Sequence, residues 1–312
     1  MSAKSNITPN GWIALEINVL RRLKFASVAF PFSGEPPLGV YLKRWNVRVL
    51  TNDLMRSAQT KAIAAIQNNG EKLSADEVGS VLEDVYVPHY RLQNPALRSW
   101  FGETDAWWFD NLRQNIEKIS SPVARAVALS LGMSVGDYVL SFTEDTLELR
   151  QPLSSVFQRL WKNLPEPIDN GQHNVCDNRL ANKFIGDHHP DLMYLRLPPS
   201  RSQTSKIFLG AAAWREEWLR GGDDFWTLAE TENAGKLGDS IETKSQYLRL
   251  VEDFLQTAQH IPNWAISCVE SGFVSTQDIV ETIGRVGNRR VNTIFTKDFS
   301  ELTGTKAVII TA

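Results

Sequence analysis

The chain has 312 residues, 42% of them hydrophobic and 22% charged, and a net charge of −3. That length accommodates a full core plus an insertion, and that balance belongs to ordinary globular proteins without a whole-chain attraction to nucleic acid. Cys176 and Cys268, the only cysteines, exclude a disulfide framework or a thiolate metal site and fit a reducing cytoplasm. The opening MSAKSNITPNGW is polar, so no signal peptide is expected, and no uncharged apolar window of bilayer length predicts a membrane partner.

Residues 12–23 place Trp12, Leu15, Val19 and Leu23 at helical spacing, with Arg21 and Arg22 where the helix dipole favours cations. FASVAFPF, Phe25 to Phe32, predicts a buried strand, and SGEPPLG a turn-rich loop. A short helix is expected over Val40 to Trp45. VRVLTND then predicts a second strand through Val47, Val49 and Leu50, closing on Asn52-Asp53. Strand, loop, helix, strand and acid open a nucleotide-binding α/β unit. Gly34 precedes Asp53 by 19 residues, close to the roughly 20 between a phosphate-type loop and a ribose-binding acid. Asp53 reads either as that acid or as the cap of a helix beginning at Leu54.

From Met55 to Leu149 the pattern is helical and does not repeat. Ser74 and Glu77 form a capping box, Trp108, Leu112, Ile116 and Ile119 share a helical face, and Ser121-Pro122 starts a further helix. Residues 56–150 therefore read as an inserted helical subdomain, with 1–55 and 151–312 forming the α/β domain. Strands resume near Asn174 and at Leu192–Leu195. The stretch 214–242 holds eight Asp or Glu against three Lys or Arg, with glycines interleaved, and predicts an exposed excursion. A helix from Lys244, a strand from Trp264 to Val269 and a capped helix after Ser275 follow. Arg290–Thr296 and Lys306–Thr311 predict an antiparallel hairpin closing a mostly parallel sheet.

The stretch DLMYLRLPPSR, Asp191 to Arg201, is a strand that stops at Pro198-Pro199, because proline cannot donate to a ladder. In open α/β sheets ligands bind beyond such carboxyl ends. Taken in order, PFSGEP, TND, DLMYLRLPPS and WAISCVESGFVSTQDIVETI resemble the motifs of the adenine-specific DNA methyltransferases of the Dam type, class I enzymes that use S-adenosylmethionine. The resemblance spans nearly the whole chain. It implies a seven-stranded Rossmann-like methyltransferase sheet with one reversed strand, and a target-recognition role for the helical insertion. It further implies a cofactor site at Pro31, Phe32, Gly34, Asn52 and Asp53, a catalytic loop at Leu197, Pro198, Pro199 and Ser200, and duplex DNA as a partner.

The departures fall where the chemistry would occur. Methylating an adenine amino group needs an acceptor that draws on its protons, and an aromatic ring to hold the flipped base. Leu197 stands where the family has Asp or Asn, and Ser200 where it has the aromatic. Pro36 replaces the second loop glycine, and the family's N-terminal motif is missing from NGWIALEINVLRR. Arg196 would repel a cationic cofactor if it faced the pocket. The expectation is a relative with weak or lost catalysis, acting as a DNA- or protein-binding module in a modification or defence system. Two alternatives stand beside it. One is an active enzyme whose acceptor is Asp191 or Asn182. The other is an interaction scaffold, without DNA or cofactor binding, that uses the tryptophan-rich insertion and the acidic stretch.

The remaining clusters have plainer readings. His188-His189 beside Asp187 predicts a solvated turn and no metal site. Arg285, Arg289 and Arg290 give a weak candidate surface for nucleic-acid phosphates against a default of solvated charge. Trp107 and Trp108 read as insertion core.

Overall fold

The computed structural model describes residues 12–202, 204–270, 273–299 and 305–312. Its first part runs α1 (Trp12–Leu20), β1 (Ser27–Phe30), α2 (Pro37–Arg44), β2 (Arg48–Asn52) and α3 (Arg56–Ala62). The helices α4 (Ala75–Val81), α5 (Glu103–Glu117), α6 (Pro122–Leu140) and α7 (Leu153–Lys162) follow. Then come β3 (Val175–Asp177), α8 (Ala181–Asp187), β4 (Leu192–Arg196), α9 (Lys206–Leu209), α10 (Ala213–Arg220) and α11 (Phe225–Asn233). The chain closes with α12 (Lys244–Thr257), β5 (Asn263–Glu270), α13 (Thr276–Arg285), β6 (Thr293–Asp298) and β7 (Lys306–Thr311).

All seven strands join one sheet in the order β3-β2-β1-β4-β5-β7-β6. β1 to β5 pair in parallel, and β7 runs antiparallel to both of its neighbours, so it alone is reversed. The C-terminal pair is thus antiparallel as expected; the turn joining it, like the polar residues before Trp12, lies outside the described residues. Period-two alternation sorts the interior strands between two cores, while the edge strand β6 is largely exposed. Val28, Phe30, Val49 and Tyr194 face α1 and α2, while Ala29, Leu50, Met193 and Leu195 face α8 and α12. Cys176 and Cys268 lie on β3 and β5, which have three strands between them. At about 4.8 Å per strand they are too far apart to bridge.

Pro37, expected in a loop, opens α2, since the first helical turn needs no N–H from it. A Cβ on Gly39 would stand 2.5 Å from Ile66 Cδ1, so that glycine lets α2 meet the π-helical turn Ile63–Gln67 that continues α3.

A separate helical core departs from the expected boundaries at both ends. Ala62 and Ile66 pack under the sheet with Val47 and Val49 while Ala64 packs against the helical core, so the chain through 67 bridges the two. The helical core instead recruits Leu153, Val156 and Phe157 from α7 and Trp214, Trp218 and Leu219 from α10. The expectation of an exposed excursion over 214–242 is therefore wrong for its first half. Trp214, Trp218, Glu216 and Glu217 are all fully buried. Two glycines of α6 receive the indoles: a Cβ on Gly136 would lie 2.2 Å from Trp214, and one on Gly132 would lie 2.4 Å from Trp218. α6 is the one described helix long and apolar enough to cross a membrane, and 61% of its apolar window is buried inside the protein. Its Asp137 accepts from Arg215 Nε at 2.9 Å and from the Trp214 indole at 3.2 Å.

Candidate functional site

The strand order reverses between β1 and β4, and a crevice beyond their carboxyl ends is where an open α/β sheet holds a ligand. The loop leaving β1 is tied down from beneath by Asn52. Its Nδ2 donates to the carbonyls of Pro31 at 3.1 Å and Arg179 at 2.9 Å, and its Oδ1 accepts from the Arg179 N–H. Buried at 1% exposure, Asn52 is a structural clasp joining the ends of β1, β2 and β3.

Asp53 and Gly34 meet directly. The Gly34 N–H, at a left-handed φ of 58°, donates to Asp53 Oδ2 at 2.9 Å, and the Met55 N–H donates to Oδ1 at 2.9 Å. Burial pushes the Asp53 carboxyl up to about 6, against these two hydrogen bonds, which lower it. The acid thus closes the loop on itself. It does not cap α3: the Arg56 and Ser57 N–H groups donate to buried Glu216 at 3.0 and 2.6 Å.

At the end of β4 the polar chemistry is also internal. Arg196 turns toward α1, where its Nε and Nη2 grip Glu16 at 2.7 and 2.8 Å; its Nη1 reaches the Ser33 carbonyl at 3.4 Å. Trp12 Nε1 and the Tyr194 hydroxyl also donate to Glu16, at 3.1 and 2.9 Å. Burial and the Glu16 charge hold the Tyr194 hydroxyl far above its ordinary pKa, so it stays a donor. The crevice between β1 and β4 is therefore spanned by the protein's own ion pair.

Leu197 continues the ladder through its N–H to Ser267 O at 2.8 Å, and its side chain packs against the core under α12. The Pro198 carbonyl, one of the two backbone acceptors at this loop with that of Leu197, accepts from the buried Tyr247 hydroxyl at 2.8 Å. Burial raises the Tyr247 pKa and keeps that proton in place. The Ser200 carbonyl accepts from Ile241, and Pro199 is exposed.

Pro31, Phe32, Asn52 and Asp53 come together around one cavity of about 20 Å³, with Thr204, Asn233 and Gly238 covering it. A volume of that size holds about one water molecule. These residues, with Asp53 engaged and the crevice bridged by Arg196, do not fit S-adenosylmethionine in this arrangement. A larger cavity of about 530 Å³ adjoins it and shares Leu54 and Thr204.

Other candidate residues lie elsewhere. Asp191 sits at the start of β4, the opposite edge of the sheet, and accepts from the Ala26 and Ser27 N–H groups at 2.8 and 2.9 Å. Asn182 is exposed on α8. The acceptor role considered for these two finds no geometry here. Arg289 donates to the carbonyls of Pro262 at 2.9 Å and Ile261 at 2.8 Å and lies 3.8 Å over Trp264. Arg285 pairs with Glu252 at 3.3 Å, and Arg290 is exposed. The three flank the starts of β5 and β6, away from the crevice, and Arg289 is committed internally. The weak candidate for a phosphate surface is reduced to its exposed members, Arg285 and Arg290. His188 lies 3.6 Å from Asp177, with its ring against Phe184. No group able to hold a metal occurs among the described residues.

Sequence reasoning missed Glu16, Tyr247, Glu216 and Glu217. An acidic residue on the apolar face of the first helix was the available signal for Glu16. Compared with known proteins, the chain matches no protein-family model and no curated protein.

Proposed function

We propose that this chain follows the plan of a class I methyltransferase of the adenine-specific DNA type, has lost amino-group methylation, and serves as a binding module within a modification or defence system. The strand order, with β7 alone reversed, supports this reading, as does a helical block inserted between β2 and β3. One observation carries the loss of catalysis. The Pro198 carbonyl already accepts from Tyr247, and Leu197, half-buried against the core, has no side-chain oxygen to offer an adenine amino group. Losing one positioned polar group costs a factor of about 10²–10³, and here the side-chain acceptor is gone and the Pro198 carbonyl is already engaged. Purified protein given labelled S-adenosylmethionine and unmethylated duplex DNA is expected to transfer no label above background. Saturable transfer to adenine overturns the reading.

A second reading, the interaction scaffold, is favoured by the charge of the helical block. Residues 56–162 carry 11 Lys or Arg against 13 Asp or Glu, an excess of the wrong sign for phosphate contacts. Tyr90 is fully exposed there, and Tyr86, Val87, Leu147 and Leu149 are also exposed, which suits a protein partner. A DNA mobility shift at low salt that vanishes steeply with added salt excludes the scaffold; a stable protein complex without any shift supports it.

A further inference from the structure

We propose that the larger cavity binds an anionic nucleotide, a nucleoside carrying one or more phosphates, in preference to a cationic sulfonium nucleoside. Its volume of about 530 Å³ falls within the roughly 300–1,000 Å³ of small-molecule sites. It opens beyond the carboxyl ends of β2 and β3: Leu54 follows Asp53, and Asn178, Arg179 and Leu180 follow β3. That is the edge of the sheet where nucleotide ligands sit in doubly wound folds.

The charge of the lining selects the ligand. Arg179, Lys183, Arg220 and Lys236 line the cavity against a single carboxylate, Glu232. Asp177 and Asp187 pair with Arg179 at 2.8 and 2.6 Å, and Glu216 pairs with Arg220 at 3.2 Å; none of these three carboxylates lines the cavity. Lys183 has no carboxylate at ion-pairing distance among the described residues, and Lys236 Nζ rests on the Glu232 backbone carbonyl. Two ammonium groups are thus available to a phosphate, and both oppose a sulfonium.

The other walls suit a nucleoside. Arg220 stacks over Phe225 at 4.6 Å, and Leu228, 61% exposed, offers apolar surface with little protein cover. A base placed between Leu54 and this wall would bury that surface. The inner cavity that adjoins this one through Leu54 and Thr204 carries an unsatisfied donor, Asn233. It is 2% exposed, lines the inner cavity, and its Nδ2 has no hydrogen-bond partner. A buried donor without a partner is costly, and a single ribose hydroxyl reaching into this water-sized space would satisfy it.

Titration calorimetry of the full chain tests this with AMP, GMP, UMP, adenosine, orthophosphate and S-adenosylmethionine. At least one nucleotide is expected to bind at least about tenfold more tightly than adenosine, orthophosphate or S-adenosylmethionine, with the margin over adenosine shrinking at high salt. The double variant Lys183→Glu with Lys236→Glu is expected to lose that margin while its melting temperature stays near the parent's, since both side chains are at the surface of the cavity. Asn233→Leu is expected to weaken nucleotide and adenosine alike. S-adenosylmethionine binding as tightly as the nucleotide, orthophosphate binding as tightly as the nucleotide, no binding of any nucleotide, or indifference to the charge reversal each overturns the proposal. These outcomes are separate from the methyl-transfer assay, whose result they neither assume nor alter.

Discussion

Arg196 and Glu16, 180 residues apart in the chain, face each other through two hydrogen bonds of 2.7 and 2.8 Å across the mouth of the β1–β4 crevice. Glu16 is fully buried whereas the Arg196 side chain is 29% exposed, so it is the carboxylate that would be stranded out of water if left alone. Breaking a buried pair by removing one partner typically costs about 3–5 kcal/mol. Arg196→Leu should lose stability in that range by urea denaturation, and Glu16→Gln, which leaves the part-exposed Arg196 alone, should lose less. The double variant should lose clearly less than the sum, because it strands no charge. Simple additivity would mean that the pair is not coupled.

The packing of α6 predicts two glycine substitutions of opposite sign. Gly136→Ala drives a methyl group into the Trp214 indole, whose atoms would stand 2.2 Å away with no room to retreat in a filled core. Overpacking of this kind costs about 1–3 kcal/mol. Gly79 lies in α4 with nothing within 4 Å of an added Cβ. Gly79→Ala should therefore stabilise by about 0.5–1 kcal/mol through helix propensity alone. Thermal melts of the two variants should move in opposite directions.

The sheet was legible because its interior strands announce their two faces. Val28 and Phe30 against Ala29, and Tyr194 against Met193 and Leu195, alternate as a two-sided core requires. Ser74, Ser121 and Ser275 marked helix starts that carry the expected caps. Asp53 could be placed but its partners could not, since an acid at a strand end is equally suited to a ligand or to its own loop. The stretch after Arg215 misled for a physical reason. Local composition counts charges, but burial depends on distant donors: Glu216 is met by α3, and Glu217 by indoles from 117 residues before it and 9 after it.

Glu217 is consequently a stability determinant. Its fully buried carboxylate accepts from the indoles of Trp100 at 2.5 Å and Trp226 at 2.9 Å and pairs with Lys206 at 2.7 Å. Glu217→Ala leaves both indole donors without a partner, at about 1–3 kcal/mol each before relaxation. The loss should exceed that of Glu230→Ala, an exposed neighbour on α11. It should also come with a red shift of tryptophan fluorescence as water reaches Trp100 and Trp226. An unshifted spectrum with unchanged stability would show these bonds to be dispensable.

Asp53 gives the fold a pH dependence whose sign can be worked out. Its carboxyl is raised to about 6 in the folded chain by burial, against an ordinary 3.8. Below 3.8 both folded and unfolded chains hold the proton. Between 3.8 and about 6 the folded chain holds it and the unfolded chain has released it, so folding takes up a proton and stability falls as pH rises. Above about 6 both are ionised and the contribution is flat. Other carboxylates work the other way: Asp278, held down to about 2 by Lys244 and Ser275, loses stabilisation only in stronger acid. The comparison must therefore be between the parent and Asp53→Asn, which cannot titrate. The parent's stability relative to Asp53→Asn should decline between pH 4 and pH 6 and level off above, as read from urea midpoints at fixed ionic strength. A relative stability that rises over this interval would place the Asp53 carboxylate in a solvated or cation-paired setting and reopen the loop as a ribose-binding site.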